Sequence, residues 1–270
     1  MLKIHQTRHA LQHLKTHRQH RKMTTSSACC DIPPVTTHDY QPKGKYEQLG
    51  SYKTYVTGDK TSGRALLCAY DIFGFFPQTI QGADILASQG FYVTMPDFFH
   101  GKPYPLDQAP PKNDEQKQNY KDFFATTANV EENVKQAAKL GEELKKQGLN
   151  KIGIYGYCWG GKIAVLSAGQ GSPFHAAAQI HPAMVDANDG KKVTIPVASF
   201  ISKDEPEEAV QEFHKNVASN SDIASKSVWK RYPTVHHGWA AARGKLDDAE
   251  NKKQYEDVYR QLSSFFKANL

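Results

Sequence analysis

The residues with the most evident chemistry are Cys158 and the glycines around it in KIGIYGYCWGGKIAV, residues 151–165. Gly156, Cys158 and Gly160 form G-x-C-x-G, the pattern of a nucleophile elbow with sulfur in place of the serine oxygen. The nucleophile of such an elbow sits at a strained turn between a strand and a helix, and small neighbours let the two elements pack closely. The pattern therefore predicts a reactive thiol at Cys158.

The same stretch also reads as G-x-x-x-x-G-K from Gly156 to Lys162, which is close to a phosphate-binding loop. Such a loop needs Ser or Thr after its lysine to hold Mg²⁺, and this chain has Ile163 there. It also needs small residues whose amides wrap a phosphate, whereas this loop holds Tyr157, Cys158 and Trp159. These side chains favour the elbow over the phosphate loop.

An elbow requires an acid after a later strand and then a histidine, in that chain order. Asp204 in ASFISKDEP and His237 in YPTVHHGWAAARG meet both requirements. Glu205 competes with Asp204, which would alternatively cap the helix that follows. His236 is adjacent to His237, and only one of the two can face the site. We take Asp204 and His237 as the partners of Cys158, and we assign His181, which follows an apolar run, a structural role.

Apolar runs alternate with amphipathic stretches along the chain, which predicts an α/β fold with a mostly parallel central sheet and helices on both faces. The predicted strands are RALLCAYDIFG, FYVTMPDFF, KIGIYGY, FHAAAQIHP, IPVASFISKDE and KSVWKRYP. The predicted helices are FPQTIQGADILASQG, residues 115–147, GGKIAVLSAG and residues 248–267. No repeat or linker divides the body, so residues 31–270 are predicted to form a single domain.

The net charge of +6 is confined to the start of the chain. Residues 1–30 contain six of the 34 basic residues and no acid, which leaves 28 basic residues against 28 acidic ones. Because the body is neutral, no nucleic-acid partner is indicated. Residues 1–30 contain no apolar run long enough to span a membrane. We predict that they form a basic, disordered leader.

Three other interpretations of this leader remain open. His5, His9, His13 and His17 would form a metal-binding stripe if the segment were helical. An acid-free basic start also resembles a mitochondrial transit peptide over residues 1–22. Met23 would be the alternative site of initiation.

The four cysteines are Cys29, Cys30, Cys68 and Cys158. Their spacing suggests neither a disulfide framework nor a zinc site, which favours a reducing compartment. We therefore expect a cytoplasmic protein whose Cys158 is a free thiol.

Five motifs together resemble the dienelactone hydrolases, cysteine-dependent members of the α/β-hydrolase superfamily, and particularly their fungal branch. They are YDIFG (70–74), MPDFFHG (95–101), GYCWGGK (156–162), SKDE (202–205) and HHGWAAARG (236–244). The resemblance covers residue 45 to the C-terminus. It implies Cys158 as the nucleophile, Asp204 as the orienting acid and His237 as the base, with oxyanion-hole amides from Ile72 and Trp159.

The resemblance also implies roles in which this chain departs from the family pattern. Asp71 stands where bacterial members carry a glutamate that partners the resting thiol, and an aspartate is one methylene shorter. The alternative for Asp71 is an acid at a strand end beside a helix N-terminus. The candidate substrate-binding residues are His100, Lys102, Tyr157, Trp239 and Arg243, although His100 and Lys102 stand where an arginine is expected.

The expected activity is hydrolysis of a small ester, dienelactone-like lactone or thioester through an acyl-cysteine intermediate, with no metal and no cofactor. The expected partner is this small substrate, and the protein is expected to be a monomer or homodimer. The alternative is a catalytically weak protein of the same fold in which Cys158 is a redox sensor.

Overall fold

The computed structural model describes residues 35–270, and within them eight strands form one sheet. The strands are β1 (Lys45–Leu49), β2 (Tyr52–Thr57), β3 (Arg64–Ala69), β4 (Tyr92–Pro96), β5 (Lys151–Tyr157), β6 (Ala176–Ile180), β7 (Val197–Ser202) and β8 (Val228–Tyr232). Their order is β1-β2-β4-β3-β5-β6-β7-β8. Strands β3 to β8 are parallel, and β2 is antiparallel to both of its neighbours. The predictions made for residues 1–30 lie outside the described residues.

The helices connect these strands. They are α1 (Pro77–Ser88), α2 (Asp114–Ala125), α3 (Val130–Lys146), α4 (Trp159–Leu166), α5 (Glu207–Ala218), α6 (Ser221–Ala224) and α7 (Ala249–Asn269). The predicted helix between the first two predicted strands is confirmed as α1, which is followed by Gly90 at φ 93°. The predicted closing helix is confirmed as α7.

The prediction of continuous helix over residues 115–147 was wrong at its centre. α2 ends at Ala125 and α3 begins at Val130, and the amide of Ala128 donates to the carbonyl of Phe123 in the turn between them. The carbonyl of Ala128 accepts from the indole Nε1 of Trp159 at 2.8 Å. The break therefore presents a backbone acceptor to the first residue of α4.

The antiparallel hairpin of β1 and β2 was not predicted, whereas the six predicted strands are confirmed as β3 to β8. The hairpin turns at Gly50, which has φ 58°. Most outward positions of β1 are exposed and polar, with burial confined to Leu49. A short polar edge strand lacks the apolar run on which the other strands were recognised.

Strand β5 shows that helices cover both faces of the sheet, as predicted. Successive residues of a strand face opposite sides. A Cβ placed on Gly153 would lie 2.5 Å from the ring of Phe266 in α7. A Cβ on Gly156 would lie 2.0 Å from the carbonyl oxygen of Gly160 in α4. Helices α7 and α4 therefore pack on opposite faces of β5.

The candidate residues follow the carboxyl ends of the parallel strands, where open α/β sheets bind their ligands. Asp71 and Ile72 come after β3, Cys158 after β5, Glu205 after β7 and His237 after β8. Within residues 35–270, no helix has both the length and the apolar character needed to cross a bilayer.

Candidate active site

Cys158 occupies the junction of β5 and α4 with φ 53° and ψ −114°, a conformation that is costly for a residue with a side chain. The sharp turn brings the backbone of α4 against β3 and β5. A Cβ at Gly160 would lie 1.9 Å from the carbonyl oxygen of Ala69, and one at Gly156 would contact Gly160 at 2.0 Å. Only glycine fits at these two positions, which explains the G-x-C-x-G spacing.

Backbone hydrogen bonds hold the strained residue in place. The amide of Cys158 donates to the carbonyl of Ile180 at 3.1 Å, and its carbonyl accepts from Ala183 at 3.0 Å and from Gly161 at 3.1 Å. The segment that follows β6 therefore supports the elbow from one side, and the first turn of α4 supports it from the other.

Lys162, the lysine of the phosphate-loop pattern, is committed to protein partners. Its Nζ donates to the carbonyl of Met184 at 2.9 Å and pairs with the carboxylate of Asp189 at 2.5 Å. The Lys162 side chain is 14% exposed and that of Asp189 8% exposed, so the ammonium is not available to a phosphate. The structure contradicts the phosphate-loop interpretation. Lys162 instead links α4 to Met184 and Asp189.

His237 lies between Cys158 and Glu205. Its Nδ1 is 2.8 Å from Oε1 of Glu205, whose side chain is 2% exposed. The backbone amide and the hydroxyl of Ser202 both donate to the same carboxylate. Burial lowers the pKa of His237, but hydrogen bonds to Cys158 and Glu205 and their charges outweigh burial and raise this pKa to about 10. The histidine is therefore stabilised as an imidazolium between two acidic groups.

The prediction that Asp204 orients the histidine ring was wrong in geometry. The carboxylate of Asp204 accepts the backbone amide of His237 at 2.7 Å and leaves the ring to Glu205. Asp204 is exposed, whereas Glu205 is buried. The cause is the turn after β7, in which the amide and hydroxyl of Ser202 draw the glutamate inward.

The amides of Ile72 and Trp159 are available as oxyanion donors. Trp159 begins α4, where the first backbone amides have no partner within the helix. Within the described part of the chain, neither amide donates to a protein acceptor. The indole of Trp159 is fixed by the carbonyl of Ala128, so its backbone is also held.

Asp71 is 2% exposed and lines the same cavity as Cys158. Its Oδ1 accepts the amide of Phe73 at 2.9 Å, and its Oδ2 accepts the amide of Ala242 at 3.2 Å. Burial raises the pKa of Asp71 to about 6, although the two backbone hydrogen bonds and the charge of His237 lower it. Both carboxylate oxygens thus have backbone partners, and the predicted contact with the thiol remains a prediction.

His181 and His236 lie behind His237. The ring of His181 is fully buried and 5.0 Å from that of His237, centroid to centroid. Burial and the charge of His237 hold the pKa of His181 well below 6.5, so it is neutral. Nδ1 of His236 is 2.8 Å from the carbonyl of His237, and of these three histidines His237 is the one that lines the cavity of Cys158.

The cavity beside Cys158 has a volume of about 360 Å³. It is lined by Asp71, Ile72, Phe73, Ala109, Pro110, Pro111, Tyr120, Cys158, His237, Gly238 and Arg243. A larger groove of about 510 Å³ runs beside α3 but contains neither a cysteine nor a histidine, so the smaller cavity is the candidate site.

Sequence analysis missed Tyr120 and the segment of Ala109, Pro110 and Pro111 as lining residues. The ring of Tyr120 packs against Tyr104 at 5.2 Å. Burial, followed by the nearby Cys158, raises the pKa of Tyr120. The aromatic residues of α2 are spaced so that they lie on one face of the helix, which indicates a face turned toward the body of the protein. This spacing was the signal in the sequence that could have identified Tyr120 as a lining residue.

Arg243 is the one predicted substrate-binding residue that lines the cavity. It is exposed, and its aliphatic stem lies over Gly238, where a Cβ would be 3.0 Å from that of Arg243. Gly238 has φ 96°, so this close approach and this turn both require glycine.

The other four predicted substrate-binding residues do not line this cavity. Tyr157 is buried and its hydroxyl is 2.6 Å from that of Tyr259. Trp239 is fully buried against His181. His100 and Lys102 border a separate cavity, where His100 stacks on the ring of Tyr52 at 4.9 Å, centroid to centroid.

Metal binding finds no support in this region. Among residues 35–270, no group of three or more His, Cys, Asp or Glu side chains is arranged to hold a metal ion. Cys68 and Cys158 are both free thiols, and Cys68 is fully buried.

Comparison with known proteins agrees with the fold. A profile of the dienelactone hydrolase family matches residues 52–270. An AIM2 family protein of Schizosaccharomyces pombe is 36% identical over 248 residues, which cover 90% of this chain and 99% of that protein. A carboxymethylenebutenolidase homolog of Xenopus tropicalis is 25% identical over 86% of this chain and 93% of its own length.

Among solved structures, the dienelactone hydrolase from Anabaena variabilis superposes with a TM-score of 0.59 at 12% identity and covers 85% of this chain and 98% of that one. At this identity the likeness shows the fold, and the predicted α/β-hydrolase fold is confirmed. The chain is a hydrolase that belongs to the dienelactone hydrolase family.

Proposed function

We propose that this protein hydrolyses small carboxylic esters or lactones through an acyl-cysteine intermediate on Cys158. The observation that carries the proposal is that Cys158 and His237 line one cavity, while Nδ1 of His237 is 2.8 Å from the buried carboxylate of Glu205. Nucleophile, base and orienting acid in this arrangement are the elements of a hydrolytic triad.

In the first half of the reaction, the sulfur of Cys158 as a thiolate attacks the carbonyl carbon of the substrate. The carbonyl oxygen becomes an oxyanion, to which the amides of Ile72 and Trp159 donate. When this intermediate collapses, the bond from carbon to the leaving oxygen breaks. The imidazolium of His237 gives its proton to that oxygen, so the alcohol leaves neutral and the acyl group stays on sulfur.

In the second half, neutral His237 takes a proton from a water molecule that attacks the thioester carbonyl. The same two amides stabilise the second oxyanion. Collapse expels the sulfur of Cys158 as a thiolate and releases the carboxylic acid, while His237 is again an imidazolium. Glu205 stabilises the protonated ring and fixes its orientation in both halves.

The cavity indicates the size and polarity of the substrate. Its volume of about 360 Å³ is near the lower end of small-molecule sites, which range from about 300 to 1,000 Å³. Ile72, Phe73, Pro110 and Pro111 supply an apolar wall for an acyl or ring carbon skeleton. Arg243 at the rim is suited to an anionic group on the substrate, because a guanidinium binds carboxylates in a bidentate manner.

The test is hydrolysis of p-nitrophenyl acetate by the wild type and by Cys158→Ala. The variant should lose turnover while its circular dichroism spectrum and melting temperature stay close to wild type, because Cys158 is only partly buried. Residual activity within about tenfold of wild type, a barrier change below about 1.4 kcal/mol, would contradict the role of Cys158 as nucleophile. A screen of esters, thioesters and lactones would then identify the substrate class.

A second candidate function is redox sensing by Cys158. The raised pKa of His237 favours it, because an imidazolium beside a thiol stabilises the thiolate that peroxide oxidises. Mass spectrometry after peroxide titration separates the two functions. Oxidation at Cys158 in a protein that hydrolyses no ester or lactone favours sensing.

We also propose a cytoplasmic location and a monomer or homodimer as the working form. The two cysteines within residues 35–270 are free thiols, which agrees with a reducing compartment. Fractionation of cells and light scattering of the purified protein test these two points.

A further inference from the structure

Asp71 connects two segments that carry candidate catalytic groups. Its Oδ1 accepts the amide of Phe73 in the turn after β3, and its Oδ2 accepts the amide of Ala242 in the loop after β8. The first segment contains Ile72, and the second contains His237. We call these two hydrogen bonds the Asp71 clamp.

On the turn, the clamp determines which backbone amide is left for a substrate. Among the three amides that follow Asp71, that of Phe73 donates to the Asp71 carboxylate and that of Gly74 donates to the Asp71 carbonyl at 3.2 Å. The amide of Ile72 has no protein acceptor in the described chain. Asp71 therefore occupies the two competing donors.

On the loop, the clamp complements anchors that lie farther from the cavity. The hydroxyl of Tyr259 donates to the carbonyl of Ala240 at 3.0 Å, and the side-chain Nδ2 of Asn251 donates to the carbonyl of Trp239 at 3.0 Å. Both anchors come from α7. These anchors should keep the loop folded when the clamp is removed.

We propose that Asp71 is a positioning residue that holds the oxyanion amide of Ile72 and the loop of His237 in register through this clamp. The inference rests on the proposed hydrolytic function and names a role at the same site. It differs from a thiol partner, because the carboxylate acts on backbone amides and not on sulfur. Displacement of a catalytic group by about 1 Å is enough to cost about a hundredfold in rate.

The distinguishing measurement compares two reactions of Cys158. Attack on an ester needs the oxyanion amide, whereas alkylation by iodoacetamide forms no oxyanion. In Asp71→Asn, one oxygen is replaced by an NH₂ group, which cannot accept from a backbone amide. We expect the acylation burst with p-nitrophenyl acetate to slow about thirtyfold, and the pH profile of alkylation to stay within about threefold of wild type.

Asp71→Glu tests the role of charge. It keeps the carboxylate but adds a methylene, which displaces both oxygens from their amides. The clamp predicts that this variant is also slow in acylation. A thiol partner predicts the opposite, since glutamate would restore the function and Asp71→Asn would shift the alkylation profile. That outcome overturns the proposal.

Asp84→Asn is the matched control. Asp84 is also 2% exposed, and its carboxylate accepts the amide of Lys43 at 2.9 Å and the hydroxyl of Tyr55 at 2.8 Å, outside the cavity. It should lower stability without slowing acylation. Rates are normalised to the folded fraction measured by circular dichroism, so partial unfolding does not imitate the effect.

The results separate the two proposals. Turnover retained by Cys158→Ala would refute the proposed function and the clamp's catalytic role with it. If Cys158→Ala is inactive while Asp71→Asn acylates within threefold of wild type, the clamp alone is refuted. An equal loss in Asp84→Asn would also refute it, because any buried carboxylate would then have the same effect.

Discussion

Replacing Glu205 with glutamine should lower kcat/KM for ester hydrolysis about a hundredfold. Glutamine keeps the size of the side chain but removes the charge that stabilises protonated His237. The ring is 2.8 Å from the carboxylate, and the glutamate is 2% exposed, so water does not replace the lost charge. The hydroxyl and amide of Ser202, which donate to the same carboxylate, are also left with a weaker acceptor.

The magnitude follows from the pKa of His237, which lies at about 10 against 6.5 for the free side chain. Cys158 and Glu205 together cause this rise against burial. If each contributes about half of it, the loss of Glu205 costs about 2–3 kcal/mol of imidazolium stability, which corresponds to about a hundredfold in rate.

Asp204→Asn is the matched comparison, because it makes the same chemical change at the adjacent residue. Asp204 is exposed and accepts only the backbone amide of His237. Its loss should cost less than about tenfold, since exposed contacts contribute up to about 1 kcal/mol. Both variants are measured as kcat/KM against pH from 5 to 10. A loss in Asp204→Asn equal to or larger than that in Glu205→Gln would refute this assignment of the acid.

Two further predictions concern stability. The folded pKa of His237 is raised from 6.5 to about 10, so its stabilisation is fully present below about pH 6.5 and is lost as the pH rises through 10. The difference in urea unfolding free energy between wild type and His237→Ala should therefore shrink between pH 6.5 and 10, and a constant difference would contradict the ion-pair geometry. Gly160→Ala should abolish hydrolysis and lower the melting temperature, because its Cβ would lie 1.9 Å from the carbonyl oxygen of Ala69. Gly169→Ala, whose Cβ would be 3.3 Å from the carbonyl of Lys192, is the control and should be mild.

The sequence was sufficient to predict the architecture and the elbow because both depend on local patterns. Buried parallel strands are continuous apolar runs, and each of the six was recognisable. Gly156 is required by its contact with the backbone of Gly160, and Gly160 by its contact with Ala69 of β3, and the spacing of the two glycines around Cys158 is visible in the sequence. The β1–β2 hairpin was not predicted because an exposed edge strand has no continuous apolar run.

The choice between Asp204 and Glu205 could not be made from the sequence. Both carboxylates follow the same strand, and the turn that separates them is set by hydrogen bonds from Ser202. The two residues are adjacent, so their side chains leave the turn in different directions. That of Glu205 points inward, and that of Asp204 points to the surface. A helix cap, the alternative considered for Asp204, does not occur, since its carboxylate binds the amide of His237.

Most of the predicted substrate-binding residues do not line the cavity, for a related reason. Tyr157 and Trp239 are adjacent in sequence to catalytic candidates, yet their side chains face the core, because neighbouring residues in a strand or turn point in different directions. The cavity wall comes instead from Tyr120 and Pro110 in a segment distant from any motif. The rings of α2 pack against Phe99 and Tyr104 in the segment after β4, and this tertiary contact is not visible in the sequence.

The charges around His237 also explain how one histidine can serve as acid and then as base in the proposed reaction. In the resting enzyme, Cys158 and Glu205 both favour the protonated ring. Once sulfur has bonded to the carbonyl carbon it carries no charge and accepts no proton, so the contribution of Cys158 to the pKa of His237 disappears. The ring then releases its proton readily to the leaving oxygen as the intermediate collapses, and it remains neutral, which is the form that activates water. Release of the acyl group regenerates the thiolate and raises the pKa again, so the charge on sulfur sets the protonation state of the histidine at each stage.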